Sequence, residues 1–383
     1  MRKQKHTLML AAWFAIMLTA ALAASPALHA QTYQVIHNFS DSVDGQYPNG
    51  LTRDAAGNFY GTAWAGGPTG RGTVFKLDAT THMLSVLHAF RDAPDASRPL
   101  SGVIVDSAGN LYGTTESGGI NNAGAVYKID TARVETILHS FNGVDGGQVT
   151  AGLARDPAGN FYAPTYSGGL YGEGVVFWIN TLGTEKTLYQ FVGPDGSRPY
   201  GRVARDSSGN LYGTTASGGA YGEGNAFKLS PNGTLTVLHN FTGGADGTGS
   251  SADSLLDAAG NLYSTSAGGG DFGFGTVFKI DSTGNLTVLH SFSGPDGANP
   301  AAGLVFDAAG NLYGNTVNGG DFNLGVVFKI DPLGNETVLH SFAGNPDGQR
   351  PTATMLVARD GTIFGSTGQG GTHDAGTLFR LKP

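Results

Sequence analysis

The stretch Asp106-Ser107-Ala108-Gly109-Asn110-Leu111-Tyr112-Gly113-Thr114-Thr115 reads as a tight turn leading into a strand. Asp106 can close an Asx-type hydrogen bond, and Gly109 can take the positive φ that the turn requires. The β-branched and aromatic residues after Asn110 then favour an extended chain. The segment Asp-x-x-Gly-Asn-(Leu/Phe)-Tyr occurs six times, with its tyrosines at Tyr60, Tyr112, Tyr162, Tyr212, Tyr263 and Tyr313. A seventh, degenerate copy runs Asp360-Gly361-Thr362-Ile363-Phe364, and successive aromatic positions lie 50 to 52 residues apart. A Gly-Gly pair follows each one, then a segment such as Gly72-Thr73-Val74-Phe75-Lys76, and last a segment such as Thr287-Val288-Leu289-His290-Ser291-Phe292. Each unit therefore reads as four short strands, A to D, and a four-stranded unit repeating at this period predicts a β-propeller blade.

The ends of the repeat region predict how the ring closes. The last unit ends with strand C, Gly376-Thr377-Leu378-Phe379-Arg380-Leu381, and has no strand D of its own. Tyr33-Gln34-Val35-Ile36-His37-Asn38-Phe39 reads as a strand D without its A, B and C. One completes the other. The fold class expected is all-β, a single seven-bladed propeller over residues 31–383, with the N-terminal strand completing the last blade. The 62 glycines among 383 residues, more than twice the usual ~7%, fit a chain built from turns.

Residues 1–30 read as a signal peptide. Arg2, Lys3 and Lys5 precede an apolar run from Leu8 to Ala24, and a small-residue cleavage site follows at Ala30 or, alternatively, at Ala23. The expected location is secreted or periplasmic, with no membrane attachment after cleavage. That leader carries basic and no acidic side chains, so what remains is more acidic than the formal −8 of the whole chain. An acidic chain without a basic cluster excludes nucleic-acid binding. With no cysteine there is no disulfide and no thiol nucleophile.

The run Gly-Asn-Leu-Tyr-Gly-Thr-Thr, with Ser-Gly-Gly, Gly-Thr-Val-Phe-Lys and Val-Leu-His-Ser-Phe, resembles the GloVer tandem repeat over residues 33 to 383. The resemblance implies an exported bacterial protein with a repeat fold. It implies no reaction, because the family has no established activity. GloVer proteins often carry a C-terminal sorting anchor, and here the last repeat runs on to Pro383 without one.

Positions that repeat in every blade read first as architecture. His37, His88, His139, His239, His290 and His340 share one position in strand D, with Tyr189 in the seventh unit. Ring symmetry keeps equivalent side chains apart, so they read as packing residues, on the same strand face as the preceding Val or Ile. No metal site and no cofactor is expected. Lys76, Lys128, Lys228, Lys279 and Lys329 recur in strand C and are expected to meet the aspartates of the A–B turn. Asp195 and its six counterparts in the D–A loops read either as turn residues or as carboxylates rimming the channel mouth.

The positions that break the repeat carry the functional expectation. Arg98, Arg198 and Arg350 each stand three residues after such an aspartate, placed either for simple Asp–Arg pairing or for a carboxylate or phosphate ligand. The B–C loops offer Trp64, Tyr166, Tyr171, Tyr221, Phe272 and Phe322 among Glu116, Glu173, Glu223, Asp271 and Asp321. These aromatics read either as blade caps or as a stacking surface for a glycan or another cell-surface ligand. No His-Glu-x-x-His motif and no Gly-x-Ser-x-Gly elbow occurs. The expectation is a monomeric, non-enzymatic binding propeller. The alternative is an extracytoplasmic lyase or hydrolase with its site at the channel mouth, using Asp195 and Arg198.

Overall fold

The computed structural model describes residues 31–383, so the expected signal peptide over 1–30 lies outside the described residues. Those residues form seven antiparallel four-stranded blades and no helix; Gln46–Pro48 adds a fifth strand beside strand B of blade 1, and Ala96–Ser97 pairs with Ser117–Gly118 in a separate two-stranded ribbon. In blade 1, strand A is Thr52–Arg53, B is Phe59–Ala65, C is Thr73–Leu77 and D is Leu84–Ala89. The hydrogen-bonded order is A-B-C-D, and the next five blades repeat it. Blade 7 draws A, B and C from Leu356–Val357, Ile363–Thr367 and Thr377–Lys382, and takes Thr32–Asn38 as its strand D. The expected seven-bladed propeller and its closing strand are both present.

The A–B turn is built as its sequence requires. The Asn58 backbone N–H donates to Asp54 Oδ1 at 2.9 Å, and Asn58 Nδ2 and the Tyr60 hydroxyl donate to Oδ2 at 2.8 and 3.1 Å. Partial burial pulls the Asp54 carboxyl upward, but these donors outweigh it and hold the group below its ordinary value. The other five full copies of the motif make the same three contacts.

The strand C lysines depart from expectation. They do not ion-pair with the turn aspartates, whose oxygens are already filled. Lys76, Lys228 and Lys279 instead stand over the rings of Tyr60, Tyr212 and Tyr263, 5.7–5.9 Å from the centroids.

Apolar clusters fill the spaces between blades. Between blades 1 and 2, Val74 and Phe90 pack against Leu111, Tyr127 and Ile129. One correction concerns strand D. Val74 pairs with His88 but Phe75 pairs with Val86, so Leu87 is an extra, bulged residue, and the same irregularity recurs in all seven blades. Strict alternation would put the histidine on the face of the preceding Val or Ile. The bulge moves it to the opposite face, toward the next blade.

Candidate functional site

The D–A and B–C loops lie together on one face, where the backbone stitches neighbouring blades. Arg98 N–H donates to the Arg71 carbonyl of blade 1 at 3.0 Å, while its own carbonyl accepts from Glu116 N–H of blade 2 at 3.1 Å. Arg198 bridges Glu173 and Ala216 at 2.9 and 3.2 Å, and Arg350 bridges Leu324 and Gly368 at 2.8 and 3.0 Å. All three arginines hold φ of 54–57°, as do Tyr47, Gln148 and Asn299 at the equivalent positions. A left-handed backbone at six non-glycine residues costs energy at each, and here it aims six side chains at one surface.

Five of the residues singled out from sequence converge there. Trp64 Nε1 donates to Glu116 Oε2 at 3.1 Å, and the Arg98 guanidinium lies 5.5 Å from the Trp64 ring centroid. Arg198 stands 5.8 Å over Tyr166, whose ring meets Tyr200 edge-on at 6.0 Å. Burial raises the Tyr200 hydroxyl above its ordinary value, with the nearby Glu116 charge next in weight, so blades 2, 3 and 4 meet at this ring. Tyr200 is absent from the sequence-based set, because it stands where the chain enters strand A and only the closed ring brings it to this group.

Large side chains occupy only part of the ring. Two residues before the Gly-Gly pair stand Trp64, Glu116 and Tyr166 in blades 1 to 3 but Ala216, Ala267, Val317 and Gly368 in blades 4 to 7. The result is a wall on one side of the face and a low floor on the other. Arg98, Arg198 and Arg350 are exposed, and no carboxylate pairs with them among the described residues. The simple Asp–Arg pairing weighed from sequence is therefore not made.

Tyr171 and Tyr221 lie elsewhere. With Phe272 and Phe322 they stand in the B–C loops of four consecutive blades, each about 60% exposed, and no ring contact joins them to the Trp64 group among the described residues.

The D–A aspartates do not rim the channel. Asp195 accepts a hydrogen bond from the Tyr189 hydroxyl and caps its own loop through Val192 N–H at 2.8 Å. Asp44, Asp145, Asp246, Asp296 and Asp347 meet the strand D histidine of their blade at 2.7–3.0 Å. The channel is lined by the residues just before each strand A and holds a cavity of about 260 Å³. The second residue before strand A is glycine in blades 1, 2, 3 and 6 but Arg202, Asp253 and Thr354 in blades 4, 5 and 7. Asp253 Oδ1 accepts from Arg202 N–H at 2.8 Å, and Oδ2 accepts from the Thr354 hydroxyl at 3.0 Å. Thr354 Oγ1 in turn accepts from Gly303 N–H at 3.1 Å, tying four blades together at the axis.

A family profile, the Gloeobacter/Verrucomicrobia repeat, matches residues 25–207 and again 199–383. The chain belongs to the Gloeobacter/Verrucomicrobia repeat family. No curated protein matches this repeat protein in sequence. Solved propellers resemble it in fold. A virginiamycin B lyase from Staphylococcus aureus superposes with a TM-score of 0.61 at 12% identity, covering 92% of this chain and 99% of the lyase. An oligogalacturonate lyase from Vibrio parahaemolyticus gives 0.58 at 8%, covering 93% and 94%. The extracellular domain of a one-component system from B. thetaiotaomicron gives 0.59 at 13%, covering 90% of this chain and 39% of that one. At these identities the Gloeobacter/Verrucomicrobia repeat protein shares their architecture and nothing finer.

Proposed function

We propose that this protein is an exported binding propeller that takes a carboxylate-bearing polysaccharide, such as a uronate-containing glycan, on its loop-rich face. The observation that carries this reading is the one-sided wall of Trp64, Glu116, Tyr166 and Tyr200, with Arg98 and Arg198 laid over its rings. Aromatic faces stack on the apolar faces of sugar rings, and an exposed guanidinium offers a planar fork to a carboxylate. Both arginines are held by ring contacts and a fixed backbone, so little side-chain freedom is lost on binding. The B–C loop aromatics Tyr171, Tyr221, Phe272 and Phe322 would extend the contact along a chain.

Binding is favoured over catalysis by the state of the candidate carboxylates. Asp195, the carboxylate a lyase or hydrolase reading would use, is engaged by Tyr189 and its own loop. Asp253 has both oxygens engaged within the ring.

Affinity electrophoresis in gels containing uronate or neutral polysaccharides tests the reading. Retardation by a uronate polymer is expected, with Trp64→Ala and Arg198→Ala each weakening it about tenfold or more, which is ~1.4 kcal/mol. Binding unchanged by both substitutions would refute this face.

A further inference from the structure

We propose that His88, Asp95 and Glu135 form a divalent-metal site that staples blade 1 to blade 2, with Zn²⁺ as its best-matched ion. Strand symmetry keeps the six histidines apart from one another, yet it brings each to the first residue of strand D in the next blade. At three interfaces that residue is a glutamate. The resulting groups are His88–Asp95–Glu135, His139–Asp145–Glu185 and His290–Asp296–Glu336, with one donor atom from each residue within 4.8 Å of the others.

The first group differs from the other two. His139 and His290 hydrogen-bond their aspartates at 3.0 and 2.9 Å. His88 Nε2 stands 3.8 Å from Asp95 Oδ2 and 3.5 Å from Glu135 Oε2, too far for a hydrogen bond to either. His88 Nε2, Asp95 Oδ1 and Glu135 Oε1 are all buried without a partner. Three orphaned polar atoms in one place cost several kcal/mol unless something joins them. A proton shared between the carboxyls would satisfy two of them and leave His88 Nε2 unpaired. A cation satisfies all three.

The spacing leaves room for a small ion. Nitrogen and oxygen ligands at ~2.0–2.1 Å from a tetrahedral centre lie about 3.3 Å apart. His88 Nε2 stands 3.5 Å from Glu135 Oε2 and 3.8 Å from Asp95 Oδ2, which also accepts from Arg91 N–H, so the side chains close in by a few tenths of an ångström around the ion. One imidazole with two carboxylates suits Zn²⁺ better than Mg²⁺ or Ca²⁺, which prefer all-oxygen shells of six or more ligands. The His88 and Asp95 side chains keep 17% and 16% of their surface exposed, which leaves an entry path and room for a water as fourth ligand. Where the next blade offers leucine instead, as at Leu84, Leu235 and Leu286, the site is not built.

The test is titration of chelator-stripped protein with Zn²⁺ against a chromophoric competitor. One equivalent bound ahead of any other is expected, with Glu135→Gln and His88→Gln each weakening it at least about tenfold and Glu185→Gln leaving it unchanged. No uptake by the unaltered protein, or uptake unaffected by Glu135→Gln, overturns the proposal. Should a variant fail to fold, anomalous scattering at the zinc edge from soaked crystals of the unaltered protein decides. A peak between His88, Asp95 and Glu135 supports the site, and its absence refutes it.

Discussion

Replacing Tyr33 isolates the clasp that closes the ring. Strand Thr32–Asn38 pairs with strand Thr377–Lys382, where Tyr33 lies against Phe379 with centroids 5.5 Å apart, and Tyr33 is also its anchor against blade 6. The Tyr33 ring stacks on His340 with centroids 3.8 Å apart and planes 3° from parallel, and meets Phe342 edge-on at 6.0 Å. Its hydroxyl donates to the Asp347 carbonyl at 2.8 Å, and burial together with the Asp347 charge pushes its pKa far upward, keeping it a neutral donor at any working pH. Tyr33→Phe removes only the hydrogen bond, for about 1 kcal/mol. Tyr33→Ala also removes three aromatic contacts, to His340, Phe342 and Phe379, and the burial of the ring, for about 3 kcal/mol in all. Guanidinium chloride unfolding followed by circular dichroism measures both. Hydrogen exchange should accelerate in strand 32–38 of the Ala variant before it changes elsewhere. A loss under about 0.5 kcal/mol, with exchange in that strand unaltered, would refute the clasp.

Three further outcomes follow. Burial and the adjacent aspartate charges raise Glu185 and Glu336 to about 7, so the folded chain binds more protons than the unfolded one between about pH 4.5 and 7, and stability falls as pH rises through that window. Both side chains are partly exposed, so solvent screening discounts the effect to about 1 kcal/mol each, and Glu185→Gln or Glu336→Gln should flatten the pH dependence of Tm. Gly168 and Gly172 both hold positive φ, but a Cβ on Gly168 would lie 2.6 Å from the Gly146 carbonyl carbon, whereas one on Gly172 meets nothing within 4 Å. Gly172→Ala should therefore cost about 1–2 kcal/mol and Gly168→Ala clearly more, as read by urea unfolding. Asp253→Ala unpairs Arg202 N–H and the Thr354 hydroxyl and should cost about 1–3 kcal/mol in the same assay.

Period, turn chemistry and the complementary ends made the blades, their number and the closing strand legible in sequence. The strand D bulge was not. Its extra residue is an ordinary leucine or isoleucine, and only the register of Val74 and Phe75 against Val86 and His88 reveals it. The Trp64–Glu116–Tyr166 wall was legible because those residues depart from the repeat. Tyr200, Arg202 and Asp253 depart from it too, but they stand where the chain enters strand A, and only the closed ring brings them onto the axis. The aspartates misled for the converse reason. Their Asp-Gly pattern fits a channel rim and a loop cap equally well, and the histidine or tyrosine waiting in strand D settles them as caps.

The proposed binding face is tested most directly by the fluorescence of Trp64. With Trp178 replaced by Phe, Trp64 is the remaining indole within residues 31–383. Titration with a uronate polysaccharide should produce a saturable spectral shift that Arg98→Ala weakens and Tyr200→Ala abolishes. A polysaccharide that binds the protein while leaving the Trp64 emission unmoved would contradict the account.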